Sequence, residues 1–119
     1  MVEKLFNGRT EKIVPLMDLF LSARDELETA VDERKPVDAH NTLLHVVEFL
    51  GESETLFKGE SWESMMVKTR EDIKKCLDKF SADYANKDTA SKALDYLLGT
   101  ADEYVEKLYD VRHSLEKII

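Results

Sequence analysis

The apolar positions between Thr89 and Ile118 recur in steps of three and four without a miss. Leu94, Leu97, Ala101, Tyr104, Leu108, Val111, Leu115 and Ile118 make one seam. An α-helix turns once in 3.6 residues, so this spacing stacks the eight side chains on one face. The pattern predicts an amphipathic helix over 89–118, roughly 45 Å long at 1.5 Å per residue, with Asp88 or Thr89 as its cap. Gly99 lies inside it but off the seam, where it costs about 1 kcal/mol of helix propensity.

Three earlier segments carry the same period. Ile13, Leu16, Met17, Phe20, Ala23, Leu27, Ala30 and Val31 predict a helix over 10–34, capped by Thr10. Before it, Val2 to Phe6 reads either as a short extra helical turn broken at Asn7-Gly8 or as a frayed terminus. Pro15 is tolerable only near a helix start. Pro36 forbids smooth continuation, and a second helix follows over 37–57 with the seam Leu43, Val46, Val47 and Leu50. The third runs over 61–84 from a Ser61 cap, with the stripe Trp62, Met65, Met66, Thr69, Ile73, Cys76, Leu77, Phe80 and Tyr84. Short connections make consecutive helices antiparallel neighbours. The expectation is one all-α domain over 1–119, an antiparallel up-down four-helix bundle. The last helix outruns the second unless the second reaches Phe57. A projecting apolar end would want a partner, and a homodimer is the simplest cover.

Composition supports that class. Only 4 Gly and 2 Pro leave too few turn signals for an all-β chain. The net charge of −8 speaks against direct binding of nucleic acid or of an anionic membrane, both of which need clustered cations. It suits a protein partner with a basic site. The lone Cys76 excludes an internal disulfide. With no apolar run that reads as a signal peptide or a membrane span, the expected location is cytoplasmic.

Chemistry has few places to sit. Helical bundles hold two metal ions through inward carboxylates and Glu-x-x-His pairs. The nearest approaches here are His45 with Glu48 and Asp110 with His113, and both point away from their seams, so no metal or other cofactor is expected. Met17 and His113 are arranged rather like the haem ligands of a cytochrome b562-type bundle, but both flank their seams and read first as ordinary residues. His40 bears a passing likeness to the phospho-accepting His of histidine phosphotransfer domains. It departs at Leu43-Leu44, where Lys-Gly belongs. Cys76 lies among Ile73, Leu77 and Phe80, and a buried thiol is inert. A non-enzyme is expected.

That leaves surface. Val105 and Tyr109 widen the apolar stripe of the last helix, and Phe49, off its seam, is the candidate for an exposed aromatic anchor; core or loop packing is the alternative for all three. Asp95, Asp102, Glu103, Glu106 and Asp110 form an acidic set on the back of the last helix, partly neutralised by Lys92 and Lys107. The leading expectation is an adaptor, chaperone or inhibitor that works by protein–protein contact through Phe49, Val105, Tyr109, Asp102, Glu103, Glu106 and Asp110. The alternative is a His-based carrier, using His40 for phosphotransfer or His113 with Met17 for haem or metal.

Overall fold

The computed structural model describes residues 2–118, with side chains from residue 11 to residue 118. The described residues form α1 (Val2–Asp32), α2 (Pro36–Glu52), α3 (Glu54–Phe57), α4 (Glu63–Tyr84) and α5 (Ala90–Ile118), and no strand. The four long helices pack as a ring: α1 on α2, α2 on α4, α4 on α5, and α5 back on α1. This is the expected helical bundle. Neighbours run antiparallel. Arg34, just past the end of α1, meets Asp95 near the start of α5 at 3.8 Å. Further down, Arg24 lies over the Tyr109 ring at 5.7 Å.

The predicted seams line the inside of the ring, except that Tyr84, the last residue of the α4 stripe, is 51% exposed. From α1 the core takes Ile13, Leu16, Met17, Phe20, Ala23, Leu27 and Ala30. From α5 it takes Leu97, Ala101, Tyr104, Leu108 and Leu115, together with Ala93 and Leu98 beside them. Each fully buried Leu or Phe contributes about 1.5–3 kcal/mol by leaving water. The one buried polar residue among those described, Thr42, donates its hydroxyl to the Asp38 carbonyl at 2.9 Å. A buried hydroxyl without a partner would be destabilising.

The helix ends differ from expectation in four places. α1 is continuous from Val2, so Thr10 does not cap it and Asn7-Gly8 does not break it. Local propensity is a weak preference, and neither Thr10 nor Asn7-Gly8 compels a break. Pro15 therefore lies inside α1, on an exposed position, and it cannot donate to the Glu11 carbonyl. Ser61 does not cap α4; Trp62 holds the cap position and no side chain bonds there. The second helix breaks at Ser53, and Glu54–Phe57 forms the separate short α3.

The fourth difference concerns length. The Arg34–Asp95 and Arg24–Tyr109 contacts set the register of α1 against α5. Carried along both helices, it brings Ile13 level with Ile118. It is thus the start of α1, not the end of α5, that runs past its neighbour. The long dimension of the molecule is 61 Å, against roughly 45 Å for a 30-residue helix. Leu115 is fully buried and Ile118 packs against the core. At this end α3 also closes on α1, with Phe57 fully buried and Trp62 6% exposed. The apolar residues of the last turn of α5 are therefore covered by their own chain, Leu115 fully and Ile118 in part; Ile119 lies outside the described residues.

Two connections show how the turns are made. After α1, the Lys35 amide donates to the Ala30 carbonyl at 2.8 Å and the Arg34 amide to the Val31 carbonyl at 3.1 Å. That pair of bonds is a Schellman close, which needs a left-handed residue at its centre. Arg34 supplies it at φ 52. Pro36 then opens α2 at a position where its missing N–H costs nothing. Between α4 and α5, the Thr89 carbonyl accepts the Ala93 amide at 2.8 Å, so Thr89 is the cap. Its hydroxyl points back and donates to the Asp83 carbonyl near the end of α4.

Candidate functional site

The residues expected to form an interaction surface are divided by the fold. Val105, Glu106, Tyr109 and Asp110 do come together, with Arg24, around a hollow of about 300 Å³ between α5 and α1. Tyr109 is 51% exposed, with His113 stacked on it at 6.2 Å and Arg24 over its ring. Glu103 turns the other way, into the α4–α5 groove. Asp102 is exposed and lines neither. Phe49 corrects the expectation outright. It is 4% exposed, and its ring meets Phe20 edge-on at 5.3 Å. α1 lies along that flank of α2, so the buried arc of α2 is wider than its seam.

The histidines are apart from one another. His113 is exposed and its Nδ1 lies 3.4 Å from Glu116. Met17, by contrast, faces the core, 9% exposed. The haem pair of the alternative reading is therefore not brought together. His45 packs on Phe49 at 5.6 Å. His40 is half-buried against Phe80, ring centres 5.5 Å apart, where a phospho-accepting imidazole would have to stand clear. Among the described residues, no group of three His, Cys, Asp or Glu converges as a metal site would require.

The α4–α5 groove, about 550 Å³, holds Cys76 with Tyr96, Gly99, Thr100 and Tyr104. Burial pushes the Cys76 thiol up, while hydrogen bonding with Tyr96 and Thr100 pulls back. A thiol held protonated is the opposite of a nucleophile. Burial, with Asp72 nearby, pushes the Tyr104 phenol up to about 12. Both groups stay neutral at pH 7. Three lysines (75, 79 and 107) offset Asp72 and Glu103 on the rim.

Charge is unevenly spread. Residues 11–60 hold twelve acidic side chains against five basic ones, whereas 61–118 hold twelve against ten. The acidity therefore belongs to α1, α2 and α3, rather than to the back of α5. A hollow of about 510 Å³ between α1 and α2 is lined by Asp25, Glu26 and Asp38 and by no cation.

Sequence reasoning missed one feature altogether. At the end where the α1–α2 and α4–α5 connections meet, Pro36, Val37, His40, Phe80, Tyr84 and Leu94 line an open cleft of about 150 Å³. No lining side chain bears a fixed charge. Val37 is 69% exposed and Tyr84 51%. Tyr84 stacks on Phe80, ring centres 5.3 Å apart and 25° between planes. Leu44, 39% exposed, lies two turns from Val37 on the same flank of α2. The available signal was an apolar residue in the first turn of one helix and an aromatic one in the last turn of another. In an up-down bundle those two turns share an end.

No family model, no curated protein and no solved structure matches this chain. No helix among the described residues is long and apolar enough to cross a membrane.

Proposed function

We propose that this protein works by binding another protein, as an adaptor, chaperone or inhibitor, and that the contact centres on the end cleft. One observation carries the reading. The two most exposed apolar side chains at this end, Val37 and Tyr84, rim a cleft whose lining includes no Asp, Glu, Lys or Arg. Isolated surface apolar groups need no explanation, but grouped ones around a concavity are the usual anatomy of a contact site. The acidic α1–α2 surface next to it favours partners with a basic rim around an apolar centre, because opposite potentials speed encounter.

The test uses the partner recovered from the native host, purified and titrated by calorimetry. The variant Val37→Asp/Tyr84→Ser changes only exposed positions, and the fold should hold. It is expected to weaken binding by at least about tenfold, the loss of roughly one anchor contact. Tyr109→Ser, on the other face, should bind as the unaltered protein does. Equal binding by the Val37→Asp/Tyr84→Ser protein would overturn the proposal, and loss on Tyr109→Ser alone would move the contact to the α1–α5 hollow.

A further inference from the structure

We infer that the end cleft accepts one uncharged aromatic side chain of the partner, a phenyl ring seated between Val37 and Tyr84 onto Phe80 and Leu94. This rests on the reading of the cleft as the contact site. Size is the first argument. The cleft measures about 150 Å³ and is open on one side, so it has room for one ring and not two; a closed apolar cavity of that order holds one benzene. Charge is the second. More than a third of the chain is charged, yet Pro36, Val37, His40, Phe80, Tyr84 and Leu94 offer no carboxylate or fixed cation. A charged anchor would lose its hydration there with nothing in exchange.

Ring geometry is the third argument. His40, Phe80 and Tyr84 already form a run of touching rings, His40 tilted 50° to Phe80 and Tyr84 stacked on Phe80. A further ring can join by its edge or by offset stacking, a preference that an aliphatic side chain lacks. The same ring faces attract ammonium groups. A methylated lysine is therefore the competing occupant. With no carboxylate in the lining to complete its neutralisation, the neutral ring is favoured.

The experiment titrates the full chain, isotope-labelled, with three probes: N-acetyl-phenylalaninamide, N-acetyl-leucinamide and N-acetyl-trimethyllysinamide. The methyl groups of Val37 and Leu94 and the ring of His40 report by NMR. The phenylalanine probe is expected to saturate with Kd on the order of 1 mM, as its size allows. The leucine probe should be at least about twofold weaker, since ring stacking adds about 0.5–1.5 kcal/mol beyond burial, and the lysine probe should not saturate. Val37→Arg, at an exposed rim position, should weaken the phenylalanine probe by about fivefold or more; Tyr109→Ser should leave it unchanged. Tighter binding of the lysine probe, equal binding of the leucine probe, or shifts confined to other surfaces would overturn the inference. Absence of saturation with all three would do so as well. The outcomes separate from those of the partner titration. If the phenylalanine probe fails while Val37→Asp/Tyr84→Ser still loses the partner, only the anchor chemistry falls. If the probe binds and the partner ignores both substitutions, the contact-site reading falls.

Discussion

Arg34→Gly should stabilise the protein, although it deletes an ion pair. Arg34 is the centre of the Schellman close after α1 and holds φ 52, the left-handed region. An L-residue with a β-carbon loses about 1–2 kcal/mol there, because Cβ crowds the following carbonyl. Glycine avoids that strain. It also loosens the unfolded chain, which takes back about 0.4–1 kcal/mol. The Arg34–Asp95 contact is 3.8 Å long between side chains 73% and 75% exposed, so solvent screening leaves it worth only about 0.2 kcal/mol. The middle of each range leaves a net gain of about 0.6 kcal/mol. For a chain of 119 residues the unfolding entropy is roughly 250 cal/mol/K, so Tm should rise by about 2 °C. Urea titration followed by far-UV circular dichroism measures the free-energy gain, with an unchanged m-value as evidence that the same transition is being read, and a thermal melt measures the Tm shift. Arg34→Ala is the control. It removes the ion pair and keeps the strain, and it should be neutral or slightly destabilised. If Arg34→Gly is no more stable than Arg34→Ala, the left-handed strain is not what limits this turn, and the reasoning fails.

Two other substitutions test the packing. Phe49→Ala should cost about 3–5 kcal/mol in the same titration, the usual loss for a core phenylalanine; a loss below about 1 kcal/mol would return Phe49 to the surface. Gly99→Ala should add about 1 kcal/mol, because alanine is the better helix former and nothing lies within 4 Å of the added carbon. A fall in thermal midpoint there would reveal a packing demand at the α4–α5 groove.

How far the fold was legible can be seen in particular residues. The seams of α1 and α5 are legible because both faces meet neighbours along most of their length, so burial follows the 3.6 period. Helix starts are less so. Thr10 and Ser61 both have capping side chains and neither caps, since a cap is worth only about 1 kcal/mol; at the start of α4 the burial of Trp62 beside Phe57 outweighs it. The reach of α1 past α5 was invisible, because relative sliding of two helices is set by the contacts between them and leaves no mark on either period.

The candidate site was the least legible part, and Phe49 and Val37 show why. Each is six residues from Leu43, on opposite sides in sequence. At 100° per residue both stand about 120° from the α2 seam, in opposite directions around the helix. Periodicity assigns them the same rank. The structure separates them completely, 4% exposed against 69%. On the Phe49 side α1 runs on past that level, and Phe20 covers the ring. On the Val37 side the cover would have to come from α4, but α4 ends at Tyr84, and Tyr84 itself lines the cleft beside Val37. An off-seam apolar residue is therefore buried or left exposed by whether an adjacent helix lies over its flank, a property of another segment; Leu44, two turns along the Val37 flank, is 39% exposed as well. The end cleft exists because α2 begins and α4 stops at the same level, with one apolar residue in each of those turns.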